Sequence, residues 1–166
     1  MIRNILVPTD FSAGSQAALL AAKQIARAVG ASLHLLHVIE NPFAPGGFTE
    51  MYTLPPGFYP EELDGVARQR LAECLSPDEH AAFRTTLTTT LGIPAHEILQ
   101  RLDEDPKIDL VVMGTHGRGG VARFVIGSVA DKVVRNAPCP VMTMKECPQW
   151  ALELPMVSAS ENFSMR

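Results

Sequence analysis

The chain has 166 residues, 46% of them hydrophobic and 19% charged, with a formal net charge of −4. That length suits one domain around a single core, and the apolar content is that of a folded chain rather than a disordered one. A nucleic-acid binder carries a basic face; the acidic balance here and the lack of a basic cluster argue against one, and no apolar run reaches membrane-spanning length.

The opening, Met1-Ile2-Arg3-Asn4-Ile5-Leu6, lacks the layout of a secretion signal. Its three cysteines, Cys74, Cys139 and Cys147, show no close pairing pattern, so reduced thiols in a cytoplasmic protein are expected.

The period of hydrophobicity then alternates between strand and helix. Residues 2–7 form a short apolar strand ending at Pro8-Thr9-Asp10. Residues 12–29 are alanine-rich with helical spacing, Ser12 as N-cap and Gly30 as the stop. A second strand is expected over 32–39. Residues 41–60 hold five of the 13 prolines and five aromatic residues, Phe43, Phe48, Tyr52, Phe58 and Tyr59. So long a stretch without periodicity reads as a flap over a ligand, a dimer contact or a solvent-exposed mobile loop.

A helix is expected over 61–74. Residues 85–91 include five threonines, a β-branched strand polar enough for a sheet edge. Residues 94–102 read as a short helix with proline in its first turn. A fourth strand covers 108–113, a last helix 128–136, and a fifth strand Val141–Met144. From Glu146 onward the tail lacks clear periodicity apart from Trp150-Ala151-Leu152-Glu153-Leu154, and is expected to be flexible or docked on a partner.

Alternating strands and helices predict an α/β three-layer sandwich, a parallel sheet with helices on both faces. Such sheets bind ligands beyond the carboxyl ends of their strands, where strand order reverses. Pro8-Thr9-Asp10 and Gly114-Thr115-His116-Gly117 both follow an apolar strand directly. If the first and fourth strands are neighbours, the two segments meet at that point.

Glycines let backbone approach a ligand closely, and a turn of exposed N–H groups cradles an anion. Gly127-Ser128 opens the last helix, and Ser128 with Asp131 has the spacing of a capping box. A helix N-terminus offers N–H groups and partial positive charge to phosphate. Plainer roles stand beside these. Gly114 and Gly117 also suit a bare turn; Asp10 competes with Ser12 to cap the first helix; His116, Arg118 and Arg123 suit phosphate or solvent. His34 and His37 are three apart on a strand and point to opposite faces, so they do not share a metal. His80 and His96 receive no role, and Cys139 is expected to be a packed thiol.

Five blocks in order give the chain a recognisable signature: Ile5-Leu6-Val7-Pro8-Thr9-Asp10-Phe11-Ser12, Leu33-His34-Leu35-Leu36-His37-Val38, Asp109-Leu110-Val111-Val112-Met113-Gly114-Thr115-His116-Gly117, Gly127-Ser128-Val129-Ala130-Asp131-Lys132-Val133, and Ala137-Pro138-Cys139-Pro140-Val141. Over residues 1–145 it resembles the universal stress proteins. The resemblance implies a five-stranded parallel sheet ordered 3-2-1-4-5. It also implies ATP binding, since Gly-x2-Gly-x9-Gly-Ser/Thr marks the ATP-binding members and Gly114, Gly117, Gly127 and Ser128 complete it here. By position, Asp10, following Pro8 and Thr9, is implied to contact ribose or metal-linked phosphate, with Mg2+ the companion ion. Val38 is implied to pair its backbone with adenine and Met113 to pack near the base. Gly114, Gly117, Gly127, Ser128 and Val129 are implied to contact ribose and phosphates. Family members commonly form homodimers through the fifth-strand edge, here Val141–Met144. The aromatic stretch and the tail depart from the pattern.

The expected function is therefore an ATP-binding stress-response sensor acting on a regulatory protein partner. No Gly-x-Ser-x-Gly elbow or P-loop Lys-Ser/Thr is present in the sequence, so slow ATP hydrolysis is the most activity expected. The alternatives are a nucleotide-free dimeric interaction protein and an adenylating or ATP-cleaving enzyme.

Overall fold

The computed structural model describes residues 1–40, 60–115 and 127–145. The aromatic stretch, the residues His116, Gly117, Arg118 and Arg123, and the tail with Cys147 lie outside them. The described elements run β1 (Asn4–Pro8), α1 (Ala13–Val29), β2 (Ser32–Glu40), α2 (Pro60–Ala72), α3 (Pro77–Ala82), β3 (Thr86–Gly92), α4 (Pro94–Glu104), β4 (Leu110–Gly114), α5 (Ser128–Asn136) and β5 (Val141–Met144). The strands form one sheet in the order β3-β2-β1-β4-β5, parallel at every pairing. This is the expected α/β architecture and strand order.

A sheet covered on both faces favours near-continuous apolar strands, and Ile5-Leu6-Val7 of β1 are buried in succession. Ile5 and Val7 join a core with Leu33, Leu35, Leu110 and Val112, closed by Ala18, Ala22 and Ala26 of α1 and Leu71 of α2. Leu6 points the other way, into a second core with Leu36, Val111 and Met113, closed by Ile98 and Leu102 of α4 and Ala130 and Val133 of α5. Each leucine, isoleucine, valine or methionine among these contributes roughly 1.5–3 kcal/mol on burial.

Helix α1 presents Gly14, Ser15, Ala17, Ala18, Ala22 and Ala26 as its buried face. These small residues bring its backbone close to the sheet. Ser12 caps its start by accepting the Ser15 N–H, and Gly30 ends it in the left-handed region at φ 72°, both as expected.

Besides shifts of one or two residues at element ends, as in β1, α2, β3 and α4, three features differ from the sequence reading. Helix α3 was not anticipated, although Ser76-Pro77-Asp78-Glu79 carries a full capping box with proline in its first turn. Strand β4 starts at Leu110 because Ile108 closes a turn onto the Asp105 carbonyl and Asp109 spends its carboxylate on the N–H groups of Arg3 and Asn4. The capping box expected at Ser128 is absent. Gly127 is the N-cap residue, and among the described residues no side chain caps the helix. Asp131 instead holds Arg135 one turn along, its carboxylate one methylene shorter than the glutamate that reaches back in such boxes.

Candidate functional site

Helix α1 follows β1 onto one face, and α5 precedes β5 on the other. Strand order therefore reverses between β1 and β4, and a crevice opens past their carboxyl ends. The β1–β4 register extends over Ile5↔Leu110 and Leu6↔Val111, and β1 pairs β2 as far as Pro8↔Leu36.

Strand period decides which backbone groups face this crevice. The Leu36 carbonyl accepts the Thr9 N–H at 2.8 Å, so it points toward β1. Two residues on, the N–H and C=O of Val38 point the same way, beyond the last β1 pairing. From the other side, the Val111 N–H donates to the Pro140 carbonyl at 3.0 Å, toward β5. Gly114, three residues later, turns its N–H and C=O back toward β1. The side chains of Val38 and Met113 are buried in the second core, so Val38 can offer a ligand its backbone edge. Val129 packs against the same core.

The floor between them is a turn built by short polar side chains. The Thr9 hydroxyl accepts the Phe11 N–H at 3.1 Å and donates to the Ser15 hydroxyl. Asp10 Oδ1 accepts the Ser12 N–H at 3.1 Å and the Ser12 hydroxyl at 2.6 Å. Each is a side-chain-to-backbone turn spanning two residues. Between them Phe11 sits at φ 64°, a conformation uncommon for a side-chain-bearing residue. Partial burial pushes the Asp10 carboxyl up, but the hydrogen bonds from Ser12 and Ser15 outweigh it and hold the group below the usual carboxylate range. Asp10 is therefore a positioned anion. Ser12 takes the helix cap that Asp10 was expected to contest.

Gly114 is glycine for a reason that involves no ligand. A Cβ there would stand 2.8 Å from the Gly14 carbonyl carbon and 3.0 Å from the Ser15 nitrogen, so α1 packs directly on the strand end. Thr115 is buried, its N–H and hydroxyl both donating to the Met144 carbonyl. Its own carbonyl accepts the Gly127 N–H at 2.7 Å. That bond brings the start of α5, with Ser128 at its first position, against the end of β4.

The described residues of the expected site thus gather at one end of the sheet: Pro8 at the end of β1, Thr9 and Asp10 in the turn after it, Val38, Met113 and Gly114 at its flanks, Gly127, Ser128 and Val129 at the helix start. His34 and His37 diverge as expected, one ring meeting the Asn4 side-chain carbonyl and the other the Thr9 backbone carbonyl. Among the described residues no group of three His, Cys, Asp or Glu side chains could hold a metal. Sequence reasoning assigned no site role to Ser15 or Thr115, and none to His37 beyond excluding a shared metal. The signal for the turn was present in Thr9-x-Phe11 and Asp10-x-Ser12, hydroxyl and carboxylate two residues before an N–H they can accept.

A five-stranded parallel sheet with a polar crevice at its reversal point defines an α/β protein of the doubly wound class. The universal stress protein family model matches residues 1–145. A universal stress protein of Methanocaldococcus jannaschii is 32% identical over 150 residues, covering 88% of this chain and 84% of that protein. Universal stress protein YxiE of Bacillus subtilis is 32% identical over 87% of this chain and the whole of its own length. Among solved structures, UspA of Lactobacillus plantarum superposes with a TM-score of 0.64 at 29% identity, covering 86% of this chain and 97% of that one. A universal stress protein in complex with cAMP superposes with a TM-score of 0.57 at 26% identity, covering 88% and 98%. The chain belongs to the universal stress protein family.

Proposed function

We propose that this chain is a cytoplasmic ATP-binding sensor of the stress response, with at most slow ATP hydrolysis. The observation that carries the reading is the convergence of two backbone edges, Val38 and Gly114, on a crevice floored by the positioned carboxylate of Asp10. In this reading adenine pairs with the Val38 backbone beside Met113. The ribose meets Asp10, and the phosphates lie along Gly114, His116, Gly117, Arg118 and Gly127 to the N–H groups of Ser128 and Val129. The α5 N-terminus supports the last step, since among the described residues no side chain caps it and such an end favours an anion. The relative solved with cAMP supports an adenine nucleotide as the ligand class. Mg2+ would accompany the phosphates near Asp10. The reading places the homodimer at the exposed β5 edge, Val141–Met144, residues 1–145 as the nucleotide-binding unit, and a regulatory protein as the recipient of the signal.

A second reading, a nucleotide-free interaction protein, is favoured by one observation: packing against Gly14 explains Gly114 without a ligand. Protein purified without added nucleotide is to be denatured, its released small molecules identified, and ATP then titrated by calorimetry. An adenine nucleotide, or saturable ATP binding, supports the sensor. Absence of both up to millimolar ATP would leave the second reading standing.

A further inference from the structure

We propose that His37 is a positioning residue for the ligand turn, locking Thr9-Asp10-Phe11 in the conformation that presents Asp10 to the crevice. The inference rests on the reading of that crevice as a nucleotide site. It begins with the Thr9 peptide, whose N–H donates to the Leu36 carbonyl at 2.8 Å. One residue along β2, His37 reaches the Thr9 carbonyl with Nδ1 at 2.7 Å. A carbonyl can only accept, so the proton sits on Nδ1, and the neutral ring is the Nδ1–H tautomer. A side chain of β2 thereby continues the pairing with β1 past the last ladder position, Pro8↔Leu36.

The same ring holds the residue after Asp10. The Phe11 ring lies 4.4 Å from that of His37, centroid to centroid, while the Arg70 guanidinium stands 5.5 Å from the Phe11 centroid. This packing offsets part of the cost of the left-handed backbone at Phe11. Asp10 thus has its preceding carbonyl and its following ring both fastened to one buried imidazole. An apolar residue of similar volume at position 37 would still fill the core but release the Thr9 carbonyl.

Two variants separate the bond from the packing. His37→Leu removes the donor; His37→Asn restores an N–H at the δ position. Nitrogen-15 spectra of the wild type should show a protonated Nδ1. In His37→Leu, amide exchange at Phe11 and Ser12 should accelerate about tenfold or more relative to the middle of α1, and ATP affinity should fall roughly fivefold. That fall is the order set by losing one buried hydrogen bond. His37→Asn should recover most of both. Unchanged exchange and affinity in a folded His37→Leu protein, or an unprotonated Nδ1, would overturn the proposal. Faster exchange in a protein whose wild type binds no nucleotide would sustain the positioning role and overturn the nucleotide reading instead.

Discussion

Gly114 at the end of β4 lies directly on the backbone of Gly14 in the first turn of α1, with no room for a side chain between them. The contact spans 100 positions of sequence and sets how deeply the helix start sits against the site. Gly114→Ala forces a Cβ to within 2.8 Å of carbonyl carbon, and backbone cannot move aside as a flexible side chain can. Overpacking of this kind costs about 1–3 kcal/mol. Chemical denaturation should show a lowered midpoint with an unchanged slope. A midpoint equal to that of the wild type would mean that α1 does not pack this closely in solution.

Ser12 serves the helix and the crevice together. Its oxygen accepts the Ser15 N–H as the α1 cap, while its hydroxyl proton goes to Asp10 Oδ1 at 2.6 Å. Ser12→Ala should lower stability by about 1 kcal/mol through the lost cap and weaken nucleotide binding severalfold as Asp10 loses that hydrogen bond. Ser12→Thr, which keeps the hydroxyl, should stay near wild type in both thermal unfolding and calorimetry. Equal stability of Ser12→Ala and wild type would remove the cap from the account.

The strand preceding the site carries a pH dependence. Among the described residues His34 Nδ1 is buried without a hydrogen-bond partner, while Nε2 lies 3.2 Å from Asn4 Oδ1. Burial holds the ring below its ordinary value of 6.5; Asp105 pulls the other way and Arg101 adds to the lowering. The folded state therefore favours the neutral ring. Its contribution to stability is fully present above pH 6.5 and is lost as pH falls from there through the lowered folded-state value. Unfolding free energy measured between pH 8 and 5 should decline less in His34→Leu than in the wild type. Parallel curves for the two proteins would show that His34 titrates normally.

Much of this fold was legible in the chain, for local reasons. Ile5-Leu6-Val7 and Leu110-Val111-Val112-Met113 are apolar without alternation, and burial on two faces requires that. The α1 boundaries followed from Ser12 and Gly30. Helix α3 was missed because six residues show too little periodicity, and its cap had to be read alone. Ser128 was misassigned because serine followed three residues later by an acid suggests a capping box whatever the acid's length. In the site, Asp10 and the glycines were visible as residue types. The contact between Gly114 and Gly14, and the bond from His37 to Thr9, are long-range. No local pattern of hydrogen-bonding residues encodes them.

The bond from the Gly127 N–H to the Thr115 carbonyl has a consequence for how this protein can vary. It sets the end of β4 against the start of α5, the two points between which residues 116–126 run. Lengthening any segment whose ends are already pinned adds little closure entropy, about 0.6 kcal/mol for each doubling. The segment that in this reading touches the phosphates is therefore an exchangeable cassette, open to replacement in evolution or by grafting while the framework beneath it stays as it is.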